Sequence, residues 1–145
     1  MLGESGGSFL VFVRTKHGAD RVARRLSRAG HSATQIHGDR SQSQRTAALR
    51  SFALGHHRVL VATDVAARGI DVADVAHVVN FDMPREAEDY VHRVGRTGRV
   101  KSRGVASTFA SPDEAQALRK MERVLDITTK KFRVRLNTGE RAQVA

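Results

Sequence analysis

The sequence predicts one α/β domain, in which a parallel β-sheet lies between two layers of helices. Short apolar runs rich in β-branched residues, such as RVLVAT, are typical of parallel strands that are buried on both faces. These runs alternate with segments whose apolar residues recur at helical spacing, and the alternation is typical of parallel α/β sheets. The length of 145 residues is that of a single domain.

The first strand is predicted at 9–13, after a Gly/Ser-rich segment at 1–8 that we expect to be frayed. A helix follows at 16–29, where four apolar residues recur at helical spacing, and Gly30 is its predicted C′ residue. The other strands are predicted at 32–38, 58–63, 77–82 and 104–110. The other helices are predicted at 41–54, 85–94 and 111–125.

The last predicted helix has a recognisable start. Ser111 is the expected N-cap, Pro112 suits the first helical position, and Glu114 can close a capping box. The D-E-A triplet at this place lies in a first helical turn, where acidic residues favour the helix dipole, so it is not a functional motif.

The stretch after this helix is predicted to add an edge strand and then a tail. We therefore expect a domain at 9–130, followed by a basic C-terminal extension at 131–145. The segment 1–8 would be a flexible N-terminal segment.

The chain is strongly basic, with a formal net charge of +10 and a pI of about 11.3. Such an excess indicates a polyanionic partner, nucleic acid first. Twenty of the 25 basic residues are arginines, the better bidentate ligands of phosphate. Coding bias also produces arginine-rich chains, so the spacing of particular arginines has to decide between the two explanations.

Composition excludes several other classes. The chain has no cysteine, which excludes a disulfide framework, a thiol nucleophile and a Cys-based zinc site. No apolar run approaches the roughly 20 residues that span a bilayer, and the first residues lack the features of a secretory signal. We expect a cytoplasmic protein with no membrane partner.

Polar segments follow three of the predicted strands. R-T-K follows the first strand, H-G-D the second and T-D the third. Ligands of parallel α/β folds bind at the carboxyl ends of the strands, so these segments predict a binding site at that edge. The alternative for any one of them is an ordinary polar loop.

The densest signal is YVHRVGRTGR, which has three arginines at intervals of three: Arg93, Arg96 and Arg99. On a helix end they would fall near one face. Gly95 and Gly98 would interrupt the helix and let the backbone approach a ligand or another loop. Arginines fixed in this way can clamp a multiply charged phosphate and stabilise charge in phosphoryl transfer. The alternative is a solvated basic face.

A second signal is ATDVAARGID, where a strand ends and a short helical turn follows. Thr63 could donate its hydroxyl and backbone N–H to a phosphate, and Asp71 could accept from a ribose hydroxyl. The alternative is that Asp64 caps the short helix and Asp71 lies in a turn.

A third signal is IHGDRSQSQR, at the start of the second predicted helix. Gly38 would allow a phosphate to approach the backbone closely, and Arg45 would add a charge beside the helix N-terminus. The alternative is a capped helix with a solvated arginine.

Together these segments resemble the C-terminal RecA-like domain of DEAD-box RNA helicases. VFVRTK resembles motif IV of that family, HGDRSQSQR the Q-x-x-R motif, VATDVAARGIDV motif V and YVHRVGRTGR motif VI. The match runs in order from Phe9 to about Phe109. His92, at the head of the last motif, favours the DEAD-box branch over relatives that have Gln at that position.

The resemblance implies a role for each matching position. Arg96 and Arg99 match arginine fingers that reach the ATP γ-phosphate, and Asp71 matches the contact to the ATP ribose. His92 and Arg93 match positions that couple this domain to its partner domain. The positions implied to grip the RNA backbone, or to neighbour those that do, are Arg14, Thr15, Gly38, Arg45, Thr63 and Arg68.

The chain contains neither a G-x-x-x-x-G-K-[ST] phosphate loop nor a strand-borne D-E-A-D tetrapeptide. The resemblance implies that both, with the Mg²⁺ of the bound ATP, belong to a preceding N-terminal RecA-like domain. We therefore expect half of an ATP-dependent RNA helicase, which unwinds short duplexes locally and binds single-stranded RNA largely without sequence preference. The isolated chain is predicted not to hydrolyse ATP.

Three other functions compete with this interpretation. A stand-alone RNA-binding module would need no ATP. A DNA helicase of the wider superfamily is disfavoured by His92 and the Q-x-x-R motif. A flavodoxin-like signalling domain is disfavoured by the Arg/Gly spacing of YVHRVGRTGR.

Overall fold

The computed structural model describes residues 6–69, 71–72, 74–98, 103–135 and 141–144. Its strands are β1 (Phe9–Val13), β2 (Ala33–Ile36), β3 (Val59–Thr63), β4 (His77–Asn80), β5 (Val105–Ala110), β6 (Phe132–Arg135) and β7 (Arg141–Val144). Its helices are α1 (Lys16–Arg28), α2 (Gln42–Ala53), α3 (Asp64–Arg68), α4 (Ala87–Val94) and α5 (Ala115–Leu125). None of the described helices is long and apolar enough to cross a membrane.

The strands form one sheet in the order β2-β3-β1-β4-β5-β7-β6. The first five of these are parallel, and β7 and β6 are antiparallel to their neighbours. This confirms the predicted α/β class and the parallel sheet with covering helices.

Strand β1, the middle one of the five parallel strands, is buried on both faces, since none of its side chains is more than 5% exposed. Leu10 and Phe12 pack with residues of α2 and α3 on one face. Phe9, Val11 and Val13 pack with α1 on the other face. The alternation of strand side chains thus divides the apolar core into two layers.

Predicted helix boundaries hold where the local signal is strong. Gly30 has a φ of +88° after α1, as expected of a C′ residue. The capping box of Ser111 and Glu114 is present, but Pro112 begins a 3₁₀ turn at Pro112–Glu114 rather than the α-helix itself. Helix α4 starts at Ala87, two residues after the predicted start, because Glu86 is extended.

The C-terminal residues extend the sheet. β6 and β7 form an antiparallel pair, and β7 joins them to β5 through Phe109 and Val144. The expected edge strand is therefore present as β6, while part of the expected tail forms β7 between β5 and β6.

Candidate functional site

The carboxyl ends of the parallel strands meet at one edge of the sheet. The register pairs Val13 with Thr63, Phe12 with Asn80 and Ile36 with Ala62. The loops after β1, β2, β3 and β4 therefore emerge side by side, as ligand-binding loops of such folds do.

A cleft of about 260 Å³ at this edge brings together three of the predicted RNA-binding residues, Arg14, Thr63 and Arg68. The backbone N–H of Arg14 donates to Asp82 Oδ2 at 2.7 Å, and its guanidinium donates to the Met83 carbonyl at 3.3 Å. These contacts fix the loop after β1 to the loop after β4. The three side chains line a common surface although Arg14 is distant in sequence from the other two.

Thr63 and Arg68 present different chemistry to the cleft. Thr63 ends β3 and is the N-cap of α3, but its hydroxyl makes no capping hydrogen bond. Arg68 ends α3, is 64% exposed and pairs with Asp89 at 3.0 Å. A hydroxyl and an exposed guanidinium at one strand end can both donate to phosphate oxygens.

Thr15 is already used by the fold. Its hydroxyl accepts a hydrogen bond from the Gly18 backbone N–H at 3.0 Å, which caps α1. The predicted contact of Thr15 with RNA would add to this structural role, because the hydroxyl can still donate its own proton.

Gly38 is exposed, and a Cβ built at this position would meet no atom within 4 Å. Its φ lies outside the left-handed region. Neither packing nor backbone conformation therefore requires glycine here, whereas close approach of an external group would. The predicted RNA contact of Gly38 stays a prediction.

Helix α2 has a complete capping box, in which Ser41 accepts from the Gln44 N–H at 3.2 Å and Gln44 accepts from the Ser41 N–H at 2.9 Å. Arg45 lies in the first turn of this helix, half-buried, with no ion pair in the described part of the chain. The structure thus has the capped helix of the alternative interpretation. The RNA contact of Arg45 stays a prediction.

His37, in the H-G-D segment, is a residue that sequence reasoning missed. It is 3% exposed, its Nε2 lies 2.9 Å from Asp20 Oδ1, and its Nδ1 accepts the Asp39 N–H at 3.2 Å. Because Nδ1 accepts, Nε2 carries the proton and donates to Asp20. The only signal for it in the sequence was a polar residue at the end of a predicted strand.

Asp20 is the acceptor that orders this network. It also accepts from the Gln35 side-chain amide at 3.1 Å. Desolvation alone would raise the pKa of Asp20, but the hydrogen bond from His37, helped by the one from Gln35, holds that pKa below its ordinary value of 3.8. The network fixes the loop that carries Gly38 against α1.

Arg93 is the most deeply placed charge of the site. It is 3% exposed, and its Nε and Nη2 donate to the two oxygens of Asp64 at 2.6 and 2.5 Å. Its Nη1 donates to the Asp82 carbonyl at 2.7 Å and to Asn80 Oδ1 at 3.2 Å. The guanidinium also lies 5.1 Å from the centre of the Phe12 ring. The Arg93 guanidinium is thus held on several sides by partners within the domain.

The expectation that the three arginines share one helix face is wrong for the two that the structure describes. Helix α4 ends at Val94 and Gly95 is its C-cap, so Arg96 lies beyond the helix while Arg93 turns inward. The suggestion that Asp64 caps α3 is also wrong, because Thr63 is the N-cap and Asp64 pairs with Arg93. The coupling role of Arg93 stays a prediction.

Arg96 and Asp71 flank the loop that follows α3. The Arg96 guanidinium contacts the carbonyls of Val72 and Ala67, both at 3.4 Å. Asp71 is exposed and lines a second cleft, of about 520 Å³, together with Val72. Arg99, the second predicted arginine finger, lies outside the described residues.

Gly98, the second glycine of this segment, serves loop packing. Gly98 has a φ of +71°, and a Cβ on Gly104 would lie 2.3 Å from the Gly98 nitrogen. The Thr97 hydroxyl donates to the Val75 carbonyl at 2.5 Å. The predicted close approach of the backbone is therefore made to another loop.

His92 lies on the outer face of α4. Its side chain is 56% exposed and its Nε2 lies 4.0 Å from Glu88, one helical turn earlier. This position is open to a partner, and the predicted role in coupling to another domain stays a prediction.

Comparison with known proteins identifies the family of this chain. The family model of the helicase conserved C-terminal domain matches residues 1–101. The chain is 50% identical over 118 residues to the ATP-dependent RNA helicase vasa of Drosophila melanogaster, covering 81% of this chain and 18% of that protein. It is 52% identical over 114 residues to the DEAD-box ATP-dependent RNA helicase CshA of Geobacillus kaustophilus, covering 79% of this chain and 24% of that protein. The chain is a helicase C-terminal domain of the DEAD-box family.

Solved structures of DEAD-box proteins have the same fold. The Escherichia coli protein SrmB, solved with the regulator of ribonuclease activity A, superposes with a TM-score of 0.82 at 38% identity, over 89% of this chain and 77% of that one. A DEAD box protein from Methanococcus jannaschii superposes with a TM-score of 0.80 at 41% identity, over 88% of this chain and 35% of that one. The DEAD-box domain described here spans about a fifth of the length of the curated relatives it matches.

Proposed function

We propose that this domain is the C-terminal half of the motor core of an ATP-dependent RNA helicase. In this role it supplies arginines to ATP and backbone contacts to RNA. The observation that carries the proposal is the grouping of Arg14, Thr63 and Arg68 around one cleft at the carboxyl edge of the sheet. The names of the relatives, which are ATP-dependent RNA helicases, support it.

The cleft suits the sugar-phosphate backbone of RNA. It offers guanidinium and hydroxyl donors, and such contacts position a strand without reading its bases. Thr15 and Gly38 belong to the neighbouring loops and would extend the same contact, with Arg45 on the following helix. Binding would therefore be largely independent of RNA sequence.

The nucleotide would lie beside Arg96 and Asp71. The exposed carboxylate of Asp71 can accept hydrogen bonds from the ribose hydroxyls. Arg96 and Arg99 would stabilise the charge that develops on the γ-phosphate.

The residues of this domain do not fit a site for the Mg²⁺ of bound ATP. Among the described residues there is no group of three metal-ligating side chains. The side chains proposed to contact the phosphates are cations, which do not ligate a metal. We therefore assign the Mg²⁺ site to an N-terminal RecA-like domain and derive no step through the ion here.

In the full-length protein, ATP and single-stranded RNA would bind across the cleft between the two domains. Their binding would close the cleft and bring Arg96 and Arg99 to the γ-phosphate, with His92 at the contact between domains. Closure would separate a short stretch of duplex locally. Hydrolysis would then reopen the cleft and release the RNA.

Substitution of Arg99 tests this proposal. In the full-length protein, Arg99→Ala should lower ATP turnover by about 10³-fold or more, the effect of removing an arginine finger, because charge on the γ-phosphate loses its partner. RNA affinity, measured by fluorescence anisotropy, should change by less than about twofold, because Arg99 is assigned to ATP alone.

Arg103→Ala is the matched control, since it removes an exposed arginine four residues away. This variant should keep full turnover. Equal loss of turnover in both variants, or parallel loss of turnover and RNA binding in Arg99→Ala, would contradict the proposed role.

A stand-alone RNA-binding module is the second candidate. It is favoured by one observation: the cleft at the carboxyl edge of the sheet offers guanidinium and hydroxyl donors to RNA phosphates without a bound nucleotide. If this alternative holds, RNA affinity of the full-length protein will be the same with and without ATP.

A further inference from the structure

The exposed face of α1 carries a stripe of basic residues that the site at the sheet edge does not use. We call this set the α1 stripe: Arg21, Arg24, Arg25 and Arg28. Spacings of three, four and seven residues place the four side chains on one side of the helix. The buried residues of α1, such as Val22 and Ala23, lie on the opposite side against the sheet.

The α1 stripe has no counter-charge. All four residues are exposed, and none forms an ion pair with another described residue. Asp20 is the only acid in α1, and its carboxylate is held by His37 and Gln35. The stripe therefore presents a concentrated positive field to whatever approaches it.

Helix stability does not explain this pattern. Basic residues in a last turn favour the helix dipole, which accounts for Arg25 and Arg28. Arg21 and Arg24 precede that turn, and like charges three or four residues apart on a helix repel one another. The stripe contains four such pairs, and their mutual repulsion destabilises the helix. An external anion bound to the stripe would offset this repulsion.

The position of the stripe identifies the anion. Helix α1 starts directly after Arg14 and Thr15, at the edge where RNA is proposed to bind, and runs away from it for about 18 Å. No apolar side chain of α1 is exposed, so the helix has nothing to insert into a membrane. Arginine is also better suited than lysine to bidentate phosphate contacts.

We propose that the α1 stripe binds the phosphates of single-stranded RNA beyond the nucleotides held at the strand ends. This inference rests on the proposed function, because it continues the same strand along α1. The stripe would lengthen the bound segment and would raise affinity only for RNA long enough to reach it.

The test compares two variants of the chain that each lower the net charge from +10 to +7. The stripe variant is Arg21→Gln/Arg25→Gln/Arg28→Gln. The control variant is Arg119→Gln/Lys120→Gln/Arg123→Gln, which removes three exposed charges from α5. Binding to fluorescent oligouridines of about 5 and about 20 nucleotides is measured by anisotropy over a range of salt concentrations.

The stripe variant should lose about tenfold in affinity for the longer RNA and less than about twofold for the shorter one. Its log–log salt slope on the longer RNA should become shallower by about 2, if three phosphate contacts are lost. The control variant should change by less than about twofold on both RNAs. Equal losses in the two variants, or equal losses on the two RNAs, would overturn the inference.

Two further measurements separate this inference from the proposed function. Arg14→Gln/Arg68→Gln should weaken binding of both RNAs; if it does so while the stripe variant has no effect, only the inference fails. If the chain binds neither RNA, the proposed function fails and the inference with it. If the chain binds poly-glutamate as tightly as RNA, with the same loss in the stripe variant, the stripe is a surface for acidic proteins and the inference is wrong.

Discussion

Two ion pairs join neighbouring segments of the chain at the carboxyl edge of the sheet, and they differ in burial. The side chains of Arg93 and Asp64 are 4% and 30% exposed, and the Arg93 guanidinium is also hydrogen-bonded to Asn80 and Asp82. Lys16 and Asp39 are 49% and 59% exposed and are 3.0 Å apart. The first pair fixes α3 against α4, whereas the second lies in water.

The difference teaches which charges of this edge remain available to ligands. A buried charge must be paired, so Arg93 is committed to the structure of the domain. Exposed charges such as Arg68 lose little when they exchange one anionic partner for another. Charged residues that look equivalent in the sequence can therefore differ in role: a buried one stabilises the domain, and an exposed one can bind a ligand.

Breaking the buried pair should give the largest effect. Asp64→Asn keeps the shape of the side chain but leaves the Arg93 charge without a counter-ion. We expect the free energy of unfolding to fall by about 3 kcal/mol, the low end of the range for a buried pair, since Asp64 is partly exposed. Urea unfolding followed by circular dichroism measures it. A loss below about 1 kcal/mol would mean that this pair contributes no more to stability than an exposed ion pair does, which would contradict the prediction.

The comparison can be sharpened with a buried group that forms no ion pair with any residue in the described part of the chain. His77 begins β4, where its Nε2 lies 2.9 Å from the Ser107 hydroxyl and its ring stacks on Phe9 with centroids 5.2 Å apart. Burial lowers the pKa of His77 below its ordinary value of 6.5. The neutral imidazole therefore suits the fold, and the charged form does not.

The free energy of unfolding should consequently fall as the pH is lowered from 6.5 toward the folded-state pKa of His77. Below pH 6.5 the unfolded chain binds a proton that the folded chain resists, so the free energy of unfolding decreases until the folded-state pKa is reached. In His77→Gln, urea unfolding between pH 7 and 5 should lose this part of the pH dependence. If wild type and variant have equal slopes over that range, the buried histidine does not control them.

Carboxylates act in a different pH range. Desolvation would raise the pKa of Asp20, but its contacts with His37 and Gln35 lower it. The pKa of Glu122 is lowered chiefly by its hydrogen bond with Thr129. Both contribute stability that is present above their ordinary values of 3.8 and 4.5 and is lost at lower pH. The His77 effect can therefore be measured separately.

The sequence predicted those features that depend on local patterns. The apolar run of β1, the capping box at Ser111 and the turn at Gly30 are each set within a few residues. Such features follow from strand burial, capping and backbone conformation, whatever the rest of the chain does.

The interior of the site could not be predicted in this way. Arg93 and Asp64 are 29 residues apart, and His37 and Asp20 are 17 apart. A motif places such residues at the same edge of the sheet, but packing decides which of them turn inward. From spacing alone, Arg93, Arg96 and Arg99 were predicted to lie on one helix face. In the structure α4 ends before Arg96, and Arg93 is buried.

The exposed pair should give the smallest effect. Asp39→Asn makes the same chemical change as Asp64→Asn, but Lys16 keeps its hydration when its partner is neutralised. We expect the free energy of unfolding to fall by about 0.2–1 kcal/mol, and by less at high salt, because exposed charges are screened. The backbone N–H of Asp39 still donates to His37 in this variant, so the loop keeps its position. A loss near that of Asp64→Asn at both low and high salt would mean that burial does not separate the two pairs.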